Sequence, residues 1–121
     1  MNQITGTGRK IYVNGDYYKG SFLNGLPDGK GLLVEITGRK FEGEWRSGYQ
    51  HGYCVEVWGN GEGKYEGEFV EGRRQGKGRL ELADGSYYEG EFEDGLFHGQ
   101  GLYFFKDSGK TYEGSFVKGK I

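Results

Sequence analysis

The residues best suited to chemistry in this 121-residue chain are two histidines, one cysteine, several closely spaced glutamates and many glycines. His51 and His98 each sit ten residues after an aromatic that opens a similar segment, where sister segments carry Asp28 and Gln75. If those segments are successive strand pairs, the two imidazoles lie about 19 Å apart, too far to share a metal ion. Both read as polar residues that shape loops, and no metal site is expected. Glu66 with Glu68, and Glu89 with Glu91, have the spacing of an acid–base pair. They recur in nearly every segment opposite basic residues such as Lys77 and Arg79, which is the pattern of cross-strand charge pairs on a solvated sheet.

Phosphate chemistry fares no better. Gly109-Lys110-Thr111 would close a phosphate-binding loop, but Phe104 stands where the earlier glycine is required. The Gly59–Gly63 run has the wrong spacing for a dinucleotide fingerprint. Cys54 is the only cysteine; with no histidine placed to activate it in its own segment, it reads as a filler of a glycine slot. It also excludes an internal disulfide and fits a reducing compartment. No catalytic residue and no cofactor is expected.

The elements that carry these residues follow from a repeat. Tyr18–Phe22, Phe41–Trp45, Tyr65–Phe69, Tyr88–Phe92 and Tyr112–Phe116 share the order aromatic, polar, Gly, polar, aromatic, and start 23, 24, 23 and 24 residues apart. A glycine follows at the eighth position (Gly25, Gly48, Gly72, Gly95, Gly119) and, in complete units, at the twelfth (Gly29, Gly52, Gly76, Gly99). The fourteenth is Gly31, Gly78 or Gly101, with Cys54 as the exception. Alternation of period two within each unit predicts strands, so a unit is one β-hairpin. The chain is expected to be all-β: an elongated single-layer antiparallel meander of about ten short strands, twisted and curved with a groove. It reads as one array over residues 6–121, with a half repeat at 6–17, repeats from 18, 41, 65 and 88, and a leading half repeat at 112–121.

Glycine supplies 26 residues where average usage of about 7% would give roughly 8. Its role is close approach. Assuming a simple register, Phe69 should lie beside Gly76 and Phe92 beside Gly78, with rings covering bare backbone. A net charge of −2 with interleaved signs excludes the basic footprint of a nucleic-acid binder. The longest apolar run without glycine, Leu102–Phe105, is far short of a membrane span or signal peptide, so a soluble intracellular chain is expected.

The pattern Tyr65-Glu66-Gly67-Glu68-Phe69, Gly72, Gly76-Lys77-Gly78, Asp84-Gly85 resembles the MORN repeat (membrane occupation and recognition nexus) over nearly the whole chain. The resemblance implies a twisted single-layer sheet with a longitudinal groove, used as a binding or scaffolding module. Family members occur in cytoskeletal, ciliary and membrane-junction proteins and beside lipid kinase and methyltransferase domains. The expected function is thus a non-enzymatic scaffold that docks a partner helix or strand in the cytoplasm, cytoskeleton or cilium. The alternatives are weak recruitment to anionic phospholipid, or a regulatory segment of a larger lipid kinase or methyltransferase.

Three surfaces are candidates for contact. The first is an open aromatic face of Tyr18, Phe22, Phe41, Trp45, Tyr65, Phe69, Tyr88, Phe92, Tyr112 and Phe116. The second is an apolar stripe on the opposite face: Ile11, Val13, Leu32, Val34, Val55 and Val57. The third, for lipid, is the basic cluster Arg73, Arg74, Lys77 and Arg79. The outer strands also present edges suited to edge-to-edge self-association.

Overall fold

A computed structural model describes residues 5–119. Ten strands form one antiparallel sheet whose spatial order is their chain order. They are β1 (Gly6–Ile11), β2 (Tyr17–Leu23), β3 (Leu26–Val34), β4 (Lys40–Arg46), β5 (Tyr49–Val57), β6 (Gly63–Val70), β7 (Arg73–Leu82), β8 (Tyr87–Glu93), β9 (Leu96–Phe105) and β10 (Lys110–Phe116). A single 3₁₀ turn at Gly59–Gly61 joins β5 to β6. Ten strands at about 4.8 Å spacing extend about 43 Å along the sheet. The expected all-β meander of hairpins is the fold observed.

Two-residue turns close the hairpins. In each, a non-glycine residue with positive φ precedes a glycine: Asn24-Gly25, Ser47-Gly48, Glu71-Gly72 and Asp94-Gly95, with φ of 47–50° and then 82–88°; Lys118-Gly119, just after β10, has the same angles. Two consecutive left-handed residues make the tight turn whose twist matches that of the strands. The turn glycine also ties neighbouring units together. Gly48, Gly72, Gly95 and Gly119 donate their N–H to the carbonyls of Pro27, Gln50, Arg74 and Phe97 in the preceding unit at 2.7–3.0 Å. The opposite margin is stitched by Ile36 N–H to Asp16 (2.8 Å) and Lys106 N–H to Ser86 (3.1 Å).

The register departs from the simple one. Gly67 pairs with Gly78, but Phe69 pairs with Arg74, not Gly76, and Phe92 pairs with Gly76 across β7–β8, not with Gly78. Three residues of β7 face one of β6 because Gly76, at φ +88°, bends the strand into a bulge. The same shift recurs in β3, β5 and β9, where Gly29, Gly52 and Gly99 have positive φ.

The bulge changes which ring covers which glycine. A Cβ at Gly31, Gly78 or Gly101 would run into the hydroxyl end of Tyr18, Tyr65 or Tyr88, the first aromatic of the unit and not the second. Each of those hydroxyls donates to a carbonyl three residues on, Ser21, Glu68 and Glu91, at 2.8–2.9 Å. The second unit opens with Phe41, which has no hydroxyl, and here Cys54 replaces the glycine. The apparent exception is one half of a matched pair.

Candidate functional site

The aromatic face is built from two rows. Strand pairing aligns Tyr18, Leu33, Phe41, Glu56, Tyr65, Leu80, Tyr88, Tyr103 and Tyr112 in the first. Phe22, Trp45, Phe69, Phe92 and Phe116 make the second. Tyr18, Tyr65 and Tyr88 each meet the second aromatic of their own unit and of the next edge-to-face: Tyr65 lies 5.2 Å from Phe69 and 5.0 Å from Phe92, and Tyr88 lies 5.1 Å from Phe92 and 5.0 Å from Phe116. Each such pair adds about 0.5–1.5 kcal/mol beyond its buried area.

This zipper corrects the expected open face. Of the ten residues proposed as a contact surface, all but the half-buried Tyr112 are no more than 6% exposed, because the rings cover one another. They are the core. The apolar groups still partly accessible there are Tyr12, Leu33, Trp58, Leu80, Phe97 and Tyr103. At the N-terminal end, Tyr12, Val13, Tyr18, Pro27, Leu33 and Trp45 wall a cleft of about 600 Å³, with Asn14 and Asp16 also in its lining. The C-terminal end is filled instead, because Phe97 stacks on Tyr88 at 4.0 Å in the place that Pro27 holds in the first unit.

Mid-row, sequence reasoning missed a charge. Glu56 occupies the slot held by Leu33, Leu80 and Tyr103 in the other units and is 1% exposed. Arg74 binds it through Nε (3.2 Å) and Nη2 (3.1 Å), and Arg39 approaches its other oxygen at 2.9 Å. Both guanidiniums lie over aromatic rings, Arg39 on Phe41 at 4.8 Å and Arg74 between Trp58 (4.9 Å) and Tyr65 (5.1 Å). Two arginines and the rings beneath them offset the cost of burying the carboxylate. The 23–24 residue period itself carried the signal, since it aligns Glu56 with Leu33 and Leu80.

On the opposite face, pairing aligns Ile11, Tyr17, Val34 and Val57 in one row and Leu32 and Val55 in the next, among Lys19, Lys40, Glu42 and Glu66. Val13 does not join them. It lies in the β1–β2 turn, beyond the last pleat of β1, and lines the cleft on the aromatic side. Leu102 and Phe104 of β9 also lie on this face, where Phe104 stacks on Tyr87 at 5.2 Å. These residues were missed because the third unit, with Arg79 and Glu81, interrupts the apolar stripe.

The basic cluster is dispersed. Arg74 turns to Glu56 on the aromatic face, whereas Arg79 is on the other, bonded to Glu89 (2.8 Å) and Glu81 (3.2 Å) and lying over Tyr87. Lys77 pairs with Glu91 across β7–β8, and Arg73 faces Asp94 at 3.5 Å. Strand alternation separates what adjacency in sequence suggested. The proposed lipid patch is therefore not one surface.

The histidines are likewise apart. His98 meets Glu93 at 3.0 Å and His51 meets Arg46 at 3.4 Å. No group of three metal-ligating side chains is close enough to hold an ion among the described residues. Burial pushes the Cys54 thiol up to about 12, with the Glu56 charge adding to it, so the thiolate is suppressed. Burial likewise pushes Tyr18 up to about 12 and raises Tyr65 and Tyr88.

No curated protein matches the chain. The family model for the MORN repeat matches residues 18–34, 41–63, 65–87, 88–110 and 112–121, and each match starts on an opening aromatic of the zipper. With hairpin, ring zipper and match in the same phase, the chain belongs to the MORN-repeat family, whose units are interaction modules for proteins and membranes.

Proposed function

We propose that this chain is a non-enzymatic scaffold that docks a partner helix along its aromatic face, inside the cell, as part of a cytoskeletal or ciliary assembly. The observation that carries the docking mode is the apolar cleft of about 600 Å³ around Tyr12, Leu33 and Trp45. Apolar walls with a few polar groups suit an anchoring side chain. Spacing and facing together support a helix over an extended strand, whose i and i+3 residues lie about 10 Å apart but point to opposite sides. Leu33, Glu56, Leu80 and Tyr103 recur once per unit, about 9.6 Å apart, close to the 10.5 Å rise of seven helical residues. Support for the assembly and its location comes from the family resemblance and from no feature of the sheet itself.

The test is capture from lysate by the wild-type chain and by a Tyr12→Ala, Leu33→Glu variant, with thermal midpoints measured in parallel. Trp45 and Phe69 are too deeply buried for this purpose. Loss of a specific captured protein with the midpoint retained supports the reading; equal capture by both sinks it. Phosphatidylserine vesicles test the lipid alternative. Dispersed arginines, each held by a carboxylate, favour protein over membrane.

A further inference from the structure

We propose that the face opposite the aromatic rows is self-complementary, so that two copies of this chain pack sheet on sheet about a two-fold axis running along β3. Alternation puts Leu32 and Val34 of β3 on that face, with the exposed Ile36 just beyond the strand. Strand pairing then sets the flanks. One row reads Ile11–Tyr17–Val34–Lys40–Val57 from β1 to β5, and the next reads Arg9–Lys19–Leu32–Glu42–Val55. With β3 as the centre, apolar Ile11 and Val57 stand two strands away on either side, and Lys19 on one side is answered by Glu42 on the other. Half a turn about an axis along β3 lays β2 of one copy over β4 of the other. Lys19 then meets Glu42, Tyr17 meets the Lys40 ammonium, Ile11 meets Val57, and Leu32 and Val34 meet their own counterparts.

Charge selects a second copy as the occupant. Among the described residues, Lys19, Lys30, Lys40 and Glu42 take part in no ion pair. On β6–β8 of the same face the charges satisfy one another, with Lys64 on Glu66 at 3.6 Å and Arg79 on Glu89 at 2.8 Å and Glu81 at 3.2 Å. The unanswered charges thus lie in the half of the face that carries the apolar ridge. A uniformly basic partner would repel Lys19 and a uniformly acidic one would repel Glu42, whereas a copy turned about β3 satisfies both. Lys30 lies on the axis beside its cross-strand neighbour Glu44, so two charges of each sign meet there. The long side chains have room to interleave, because Lys19, Lys30, Glu42 and Glu44 wall a cleft of about 680 Å³ over a floor of glycine backbone. Five strands by three pleats cover about 24 Å by about 20 Å, so two copies hide about 1,000 Å² in all, at the lower limit of a specific interface. The expected dimer is therefore weak, and it leaves both aromatic faces pointing outward.

Sedimentation velocity on the 121-residue chain over a range of concentrations tests this. The wild type is expected to pass from monomer to dimer as concentration rises and to stop there, because a two-fold contact closes on itself. Val34→Glu sets a carboxylate against its own counterpart and should abolish the dimer. Lys19→Glu alone, or Glu42→Lys alone, should weaken dimerisation about tenfold, since the symmetry turns each change into two repulsive pairs. The charge-swapped double variant should restore it. Lys19→Glu also gives Arg9 an opposite charge across β1–β2 in place of a like one, so it should keep the thermal midpoint, and its weaker association would not reflect unfolding. A wild type that stays monomeric throughout overturns the proposal. So does growth beyond the dimer, association that ignores both single reversals, or a double variant that fails to recover.

Discussion

The pairing of each opening tyrosine with a bare glycine can be tested at Tyr65 and Gly78. Gly78 does not have positive φ, so alanine there meets no backbone strain. The cost is steric. A Cβ would stand 2.6 Å from Cε1 and Cζ of Tyr65, closer than real contacts allow. Moving the ring out of a packed row costs about 1–3 kcal/mol. Losing the 2.9 Å bond from its hydroxyl to the Glu68 carbonyl adds about 1 kcal/mol, so Gly78→Ala should destabilise by about 2–4 kcal/mol. Tyr65→Phe alone loses only the hydrogen bond, about 1 kcal/mol. The double variant follows the pairing of Phe41 with Cys54 and, since both singles lose the same hydrogen bond, its total should fall short of the sum of the singles by at least about 1 kcal/mol. Urea unfolding followed by tryptophan fluorescence measures all three. The mirror cycle makes the same claim in reverse: Phe41→Tyr should be costly alone and tolerated with Cys54→Gly. Additive single effects in both cycles would refute the matched-pair explanation.

Four further outcomes are expected. Glu71 holds φ +47° in its turn, a conformation that asparagine adopts more readily, so Glu71→Asn should stabilise by about 0.5–1 kcal/mol, read as a rise in thermal midpoint of about 2–8 °C. Glu56→Gln removes the charge that Arg39 and Arg74 converge on, and should cost about 2–4 kcal/mol in urea unfolding; a change below about 0.5 kcal/mol would mean that the arginines simply turn to solvent. Cys54 should resist a thiol reagent in the folded chain and react at the rate of unfolding when urea is added; rapid labelling of the native protein would contradict its burial. Cys54 and Tyr18 are raised in the folded state from ordinary values of 9 and 10 to about 12. Above pH 9 the unfolded chain therefore loses protons first, and stability should fall between about pH 9 and 12, seen as a declining urea midpoint.

The sequence by itself determined the architecture. Period-two alternation, a 23–24 residue repeat and a glycine at the eighth position of each unit leave only a row of hairpins, because glycine and alternating aromatics disfavour every helical alternative. It also settled the phase, since the opening aromatics at 18, 41, 65, 88 and 112 are where the zipper begins each step. The exposed face was beyond its reach. Whether Phe69 lies against Gly76 or Arg74 depends on a bulge, and a bulge depends on one backbone angle at Gly76 that alternation does not encode. From that angle follow the tyrosine-over-glycine pairs and the burial of rings that looked available in the sequence, whereas alternation alone sends Arg74 and Arg79, an odd number of residues apart, to opposite faces. Glu56 makes the same point in electrostatic terms. Its position was readable from the repeat, but its partners were not, because Arg39 and Arg74 come from outside its own strand and only the folded sheet brings both to one carboxylate.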